Sequence, residues 1–416
     1  MDKSIIIFLA IPVFFILILI ELVYGIVKKK NTYRINDAFT SISIGLISRF
    51  PVILNLGFQG AIFIYFAEQF NIDLMPKNEV ITWLIAFVLY DLCYYWMHRL
   101  HHEIRILWAT HVVHHHGEDF NLATALRQTS TGFIWKWIFF LPMIMIGIPG
   151  EVFVSVAGVN LVYQFWVHTR HIGHLGWMEK IFVTPMNHGV HHAKNKEYID
   201  ANYGGVFILW DRFFGTYIAE VDSIKPVYGT VSELKSWNPI WANVQVFYQM
   251  IKDTFETKKT SDKFKIWYAK TNWKPDDLAA KALGDSTIMT PKKYNPAMTL
   301  SMRYFTIFQL IMLIGASAVV LLTLAQQQRI DTLFYAIITV ICSTFTGILI
   351  QNGWFTFKSF FVFSITLLCL ITLSPFMNLN LLATQFFILY VGLNILFTGL
   401  VLLKKDNPLK QVLHER

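Results

Sequence analysis

The sequence predicts an all-α integral membrane protein with about nine transmembrane helices, and three observations carry that expectation. Hydrophobic residues make up 55% of the 416-residue chain and charged residues only 15%, against about 25% in ordinary globular proteins, so one continuous water-facing surface cannot be built from it. The 36 Phe, 17 Tyr and 13 Trp exclude intrinsic disorder, which requires few aromatics and much charge. The apolar residues are gathered into runs long enough to cross a hydrocarbon core of roughly 30 Å.

Residues 4–27 form the first run, followed by Lys28, Lys29 and Lys30. A signal peptide would have a shorter apolar part with positive charge before it, so this segment reads as an anchor whose C-terminal end is cytoplasmic. Further spans are expected at 51–67, where Pro51 can open the helix, then at 80–97, 132–149 and 151–168. After a long polar gap come 304–325, 332–350, 355–374 and 382–403. Alternation from a cytoplasmic Lys28 places 28–50, 98–131, 169–303 and 404–416 inside. The outside loops 68–79, 326–331 and 375–381 then carry only Lys77 and Arg329, as the positive-inside rule requires.

The chain is expected to comprise a membrane domain over 1–221, a cytoplasmic or interfacial helical segment over 222–303, a four-helix membrane region over 304–403 and a cytoplasmic tail over 404–416. Within the second part, 239–256 reads either as an interfacial amphipathic helix or as a cap helix packed on the histidine-rich part. The net charge of +8 sits in inter-helix loops, so it does not point to nucleic acid. Cys93, Cys342 and Cys369 lie in apolar stretches with no CxxC spacing, which excludes a disulfide framework or a cysteine zinc site.

Thirteen of the fourteen histidines fall between His98 and His192, a concentration that core packing does not produce. They repeat a spacing: His98 and His102 as HxxxH, His111, His114 and His115 as HxxHH, and His188, His191 and His192 as a second HxxHH. On a helix, separations of three and four place side chains on one face, so each motif is a fragment of a metal site. His98 ends one expected span and His168 another, and the remaining motifs adjoin them on the cytoplasmic side. Eight or nine imidazoles exceed the shell of one ion and imply two. Structural zinc closes at four ligands and hydrolytic zinc pairs include carboxylates, so a dinuclear all-histidine site points to O2-activating iron.

The runs DLCYYWMHRLHHE (91–103), HVVHHHGEDFNLATALRQ (111–128), FWVHT (165–169), TPMNHGVHH (184–192) and NYGGVFILWDRFFGT (202–216) resemble the membrane fatty acid hydroxylase and sterol desaturase superfamily. Within it, EDFNLATALRQ and NYGGxxxxWDRxFGT are similar to the alkylglycerol monooxygenases, which cleave glyceryl ether lipids. The resemblance implies as metal ligands His98, His102, His111, His114, His115, His168, His188, His191 and His192. His101 and His116 adjoin the boxes without occupying box positions and are read as neighbours of the ligands or as solvent-facing. His171 and His174 are either a tenth ligand or interfacial, and Asn187 stands where the alkylglycerol enzymes often have another histidine.

Ligating imidazoles generally donate their second N–H to a carboxylate or carbonyl. Asp91, two turns before His98, is the first candidate partner, and Glu103, Glu118, Asp119 and Asp211 follow the same logic, with caps and surface ion pairs as the alternative. Glu103, Asp119, Asn121 and Asp211 are the expected catalytic or substrate-side residues. Arg127 is expected to meet a lipid head group or an acidic cofactor, or to sit at the membrane interface.

The resemblance implies that two iron ions use O2 to hydroxylate a lipid C–H. At an ether the target is the carbon beside the ether oxygen, and the hemiacetal formed breaks into a glycerol derivative and a fatty aldehyde. No flavin or nicotinamide fingerprint is present, so electrons come from an external donor, tetrahydrobiopterin in the alkylglycerol enzymes. The expected partners are therefore a membrane lipid, O2 and that donor, with no nucleic acid. A sterol, fatty acyl, carotenoid or ornithine lipid is the alternative substrate, and a divalent-metal transporter the alternative of another class. A bacterial inner membrane fits best, the endoplasmic reticulum being the other compartment considered.

Overall fold

In the computed structural model, residues 4–53, 59–282, 293–326, 328–372 and 379–403 are described; the expected tail 404–416 lies outside them. The α-helices are α1 (Ser4–Val27), α2 (Ile35–Ile47), α3 (Phe50–Ile53), α4 (Gln59–Phe70), α5 (Glu79–Glu103), α6 (Arg105–His115), α7 (Leu122–Ala125), α8 (Leu141–Met145) and α9 (Gly150–Trp166). They continue as α10 (Pro185–His191), α11 (Leu209–Phe214), α12 (Pro239–Glu256), α13 (Thr260–Tyr268), α14 (Asp276–Ala282), α15 (Leu300–Ala325), α16 (Arg329–Asn352), α17 (Trp354–Thr372) and α18 (Leu381–Leu403). Among the described residues there is no β-strand, only three isolated bridges.

Among the described residues four helices are long and apolar enough to cross a membrane: α5, α15, α16 over Ile330–Asn352, and α18. Shorter apolar helical stretches occupy 12–27, 35–47, 136–145 and 357–372. The expected span 132–149 is not one helix. It is built from 3-10 turns at Gly132–Ile134 and Lys136–Phe140 followed by the five-residue α8. Hydropathy reports the length of an apolar run, not its continuity: Pro142 lacks the N–H a continuous helix needs, and Gly147 turns the chain at φ 95°, a region open to glycine. In the expected span 51–67, the residues 54–58 between α3 and α4 lie outside the described ones.

The chain folds as two compact units. The described residues within 1–33, 57–234 and 243–293 form one, and those within 34–56, 235–242 and 294–403 the other. Residues 34–56, expected with the N-terminal part, thus belong with the C-terminal helices. The reason is the polar face of α2, which is buried through Asn36, Asp37, Thr40, Ser41 and Ser43 and needs hydrogen-bond partners. Asn36 Nδ2 donates to Asn295 Oδ1 at 2.8 Å, and Arg34 reaches the Tyr294 carbonyl at 2.8 Å.

In that unit α15, α16, α17 and α18 pack in series, α18 also meeting α15, around Phe305, Val320, Tyr335, Phe360, Phe387 and Tyr390. Inside this apolar core Tyr390 Oη donates to Gln309 Oε1 (2.7 Å), and Gln309 Nε2 donates to Asn394 Oδ1, so α15 and α18 are joined by polar contacts where lipid provides no hydrophobic drive for association.

In the other unit α5 is the axis. Ala86 and Met97 pack with Phe140, Met143, Ile148 and Val156, and α6 folds back from its end. On α6, Ala109 packs with Met250 of α12 and Ile266 of α13, and the buried Arg105 pairs with the buried Asp253 at 3.0 Å. The helix 239–256 therefore has a packed face, as the cap reading required, and it also keeps the exposed apolar residues Val244, Tyr248, Ile251 and Phe255.

Gln309→Ala should leave Asn394 and Tyr390 without their partner in the C-terminal unit and cost about 1 kcal/mol or more. Thermal unfolding in detergent, compared with Gln309→Glu and wild type, reads this.

Candidate metal centre

His98 and His102 stand one turn apart at the end of α5, His111, His114 and His115 on α6, His168 just beyond α9, and His188 and His191 on α10 with His192 at its C-cap. All nine are buried. Their ring nitrogens gather into two groups, His98, His102, His111, His115 and His191 in one and His114, His168, His188 and His192 in the other, with the ligand atoms of each group within 4.8 Å of one another. These are the nine positions that the resemblance implied. His101, His116, His171 and His174 belong to neither group among the described residues. His101 and His116 are buried, so the solvent-facing alternative falls. His171 packs edge-on to Tyr24, and His174 is an exposed residue beside Glu179.

The outer hydrogen bonds fix the tautomers. The Nδ1 atoms of His98, His114, His168 and His191 lie 2.9, 3.0, 2.8 and 2.9 Å from the carbonyls of Tyr203, Arg127, Gln164 and Ala201. A carbonyl only accepts, so each Nδ1 carries the hydrogen and each Nε2 is a bare lone pair. The Nε2 atoms of His114 and His168 then face each other at 3.3 Å with no hydrogen between them, while those of His102 and His191 are buried with no partner among the described residues.

Protonation does not relieve this. Burial, with neighbouring histidines, holds His114, His115, His188 and His192 well below the ordinary imidazole range. A cation in each group converts facing lone pairs into ligands, and neutral imidazoles are good donors for iron, zinc, copper or nickel. The residues fit a metal ion in each group.

No carboxylate accepts from these four Nδ1 atoms, contrary to the expectation for Asp91 and its companions. The carboxylates act one step further out, on the loop that supplies a carbonyl. Asp91 accepts from the N–H groups of Val206 (2.8 Å) and Phe207 (2.9 Å), from Trp210 Nε1 (3.0 Å) and from Asn160 Nδ2 (2.8 Å). Asp211 accepts from the N–H groups of Tyr203 (2.7 Å) and Gly204 (2.8 Å) and from Thr216 Oγ1 (2.7 Å). Its own desolvation pushes its carboxyl up to about 6, against these hydrogen bonds.

Together they clamp 203–207, and so the Tyr203 carbonyl that orients His98. The clamp explains the glycine pair of NYGG. A Cβ at Gly205 would lie 2.7 Å from Asp91 Oδ1, and one at Gly204 2.5 Å from the Phe207 carbonyl; any side chain would force the loop away.

The other singled-out residues are placed as follows. Glu103 pairs with Arg99 at 2.8 Å, and Asp119 is buried and paired with Lys293 at 2.6 Å. Glu118 is half-buried. Asn121 caps α7 by accepting from the Ala123 N–H (3.0 Å), while its Nδ2 donates to the Thr32 carbonyl (2.7 Å). Arg127 is buried, its Nε donating to the Val113 carbonyl at 2.8 Å while its own carbonyl orients His114, so the membrane-interface alternative falls. Asn187 is buried and accepts from Thr184 Oγ1 at 2.7 Å.

One residue escaped the sequence reading. Glu21, buried in α1, accepts from the Leu122 N–H (2.8 Å), from Tyr33 Oη and from Thr169 Oγ1. It thereby ties the N-terminal helix to the start of α7 and to the neighbour of His168. The signal was present, since a lone carboxylate in an otherwise apolar run is costly unless it has work to do.

The fatty acid hydroxylase family model matches residues 83–216, the segment that holds all nine histidines. The chain is 35% identical to an alkylglycerol monooxygenase of Danio rerio over 347 residues, 82% of this chain and 77% of that one. It is 39% identical to the alkylglycerol monooxygenase of Homo sapiens over 64% of this chain and 59% of that protein. An ornithine lipid hydroxylase of Rhizobium tropici is 28% identical over 32% of this chain and 41% of its own length. No solved structure matches.

Asp91→Ala and Gly205→Ala should each loosen the loop that carries the Tyr203 carbonyl. Each is expected to cost about 2 kcal/mol or more in thermal unfolding and to lower retained metal, and the double variant should lose less than the sum because both act on one contact. Additive losses would separate Gly205 from Asp91.

Proposed function

This chain belongs to the alkylglycerol monooxygenase family, and we propose that it is a membrane di-iron monooxygenase hydroxylating the carbon beside the ether oxygen of an alkylglycerol lipid. The observation that carries the reading is the pair of buried all-imidazole groups, one of five and one of four rings, inside a family whose named relatives are monooxygenases of alkylglycerol. His98, His102, His111, His115 and His191 would hold one iron, and His114, His168, His188 and His192 the other. Bound there, the iron pair would supply the activation of O2 and the oxygen atom placed on the substrate carbon.

The balance is that of a monooxygenase. A C–H bond of the ether O–CH2 group becomes C–OH, the second oxygen atom leaves as water, and two electrons and two protons come from an external donor, for which a reduced pterin such as tetrahydrobiopterin is proposed. The hemiacetal then breaks its C–O bond to release a fatty aldehyde and the glycerol hydroxyl. The chain's own part is positional. Backbone carbonyls hold each ring so that its lone pair faces inward, the Asp91 and Asp211 clamp holds the loop behind His98, and burial keeps water from the reacting centre.

The nine-span arrangement, with 132–149 as an apolar segment of 3-10 turns and the short α8 instead of one helix and with this centre on the cytoplasmic face, is part of the same proposal and is supported by the distribution of Lys and Arg among the loops.

Protein purified anaerobically should contain about two iron atoms per chain. His102→Ala, His115→Ala or His192→Ala should remove iron and lower turnover on the order of 100-fold or more, whereas His116→Ala should retain iron. Membranes holding the protein should convert 1-O-alkylglycerol to fatty aldehyde only with O2 and an added reductant. One zinc and no iron would overturn the di-iron reading. Hydroxylation of an acyl or sterol lipid without ether cleavage would overturn the substrate.

A further inference from the structure

Between the third histidine motif and the C-terminal helices, α12 and α13 carry a surface that the proposed chemistry does not use. On α12 the exposed residues Val244, Tyr248, Ile251 and Phe255 recur at separations of four, three and four, the spacing of one helical face. Phe255 is 79% exposed, and on α13 Phe264 is 69% and Tyr268 65% exposed. The opposite side is fully engaged: Met250 and Ile266 pack on Ala109, and Asp253 holds Arg105. Large apolar side chains left outward in register, on helices already packed, mark a contact surface.

Two observations say what covers it. The first is level. The Arg105 N–H donates to the Ala269 carbonyl (3.0 Å) and the Thr271 N–H to the Glu103 carbonyl (3.1 Å), with Ile104 and Lys270 bridged. Glu103 ends α5, a helix long and apolar enough to span a bilayer, and stands six residues past the expected span 80–97, so the end of α13 is hydrogen-bonded just beyond the point where that span closes. A helix pair fixed there lies at the boundary between acyl chains and head groups.

The second is charge. Residues 252–274 hold seven lysines against three acids. Asp253 is taken up by Arg105, and Lys252, Lys258, Lys259, Lys265, Lys270 and Lys274 are exposed. Exposed aromatics with lysines around them is the composition of a helix that lies in an anionic membrane surface.

We propose that α12 and α13 form a lipid-binding platform that rests on the anionic leaflet of the membrane spanned by α5, with Phe255, Phe264 and Tyr268 in the acyl boundary. The platform is bonded to Glu103 and Arg105, the residues that join the histidines of α5 to those of α6. A lipid held against it therefore lies next to the turn between the first two histidine motifs. The placement stands whichever lipid is oxidised.

The test uses the full chain in nanodiscs, with nitroxide labels placed singly at positions 255 and 264 after replacement of the three native cysteines. Expected is greater collision of each label with dissolved O2 than with a water-soluble nickel complex, the difference growing when phosphatidylglycerol replaces part of the phosphatidylcholine. Greater access for the nickel complex in both lipid compositions would overturn the proposal, as would protection only at high protein density, which would assign the face to a second copy of the chain. The double variant F255D/F264D should keep its iron and raise KM for bilayer-presented alkylglycerol several-fold, with kcat changed less. An unchanged KM would also count against the platform. Labels immersed in lipid together with no ether cleavage would sink the substrate reading and leave the platform standing.

Discussion

Four imidazoles in the N-terminal unit donate their Nδ1 hydrogen to backbone carbonyls, and that one arrangement decides the chemistry of everything around it. It leaves lone pairs facing one another in a buried space where acquiring protons is unfavourable. The surroundings can be understood as devices that keep those four carbonyls in place. Tyr203 is held by the Asp91 and Asp211 clamp and its glycines, Arg127 by its own bond to the Val113 carbonyl, and Gln164 by the last turn of α9. Buried carboxylates that might be taken for ligands are instead anchors of the backbone behind a ligand.

The histidine centre was legible because helical spacing is local. HxxxH and HxxHH state directly which side chains share a face, and the eight rings so identified converge, joined by His168, which only the family resemblance supplied. Their outer partners were not legible, because those depend on contacts remote in the chain: Tyr203 lies 105 residues from His98, and Asp91 meets Val206 across 115. Asp91 was correctly suspected of a buried role, but helical phase alone pointed it at the wrong neighbour. Glu21 could have been found by the rule that flagged Asp91, since both are lone carboxylates in apolar runs.

The helical class was equally plain, while continuity was not. Hydropathy averages over a window and cannot see that Pro142 and Gly147 break 132–149 into short turns. Nor could it assign α2, whose serines, Thr40 and Asn36 look like loop polarity until the distant Asn295 supplies the partner of Asn36 and the hydroxyls of Thr40 and Ser41 turn back on the helix. For 239–256 the structure supplies the packed face of the cap reading at Met250, and it leaves Phe255 outward on the face that the interfacial reading would use.

The membership of α2 in the C-terminal unit has a consequence for how the protein is made. Its packing partner α15 ends at Ala325, nearly 280 residues after Ile47, so at ribosomal rates of 5–20 residues per second α2 waits on the order of 15 to 55 s before that partner exists. Through most of that interval Asn36 Nδ2 and Arg34 wait for Asn295 and the Tyr294 carbonyl, whereas Asp37, Thr40 and Ser41 already bond within the helix and to Arg34. A chain interrupted between His192 and Asn295 would carry a complete set of histidine motifs and yet leave Asn36 without its distant partner, a difference that separates unfinished from finished copies.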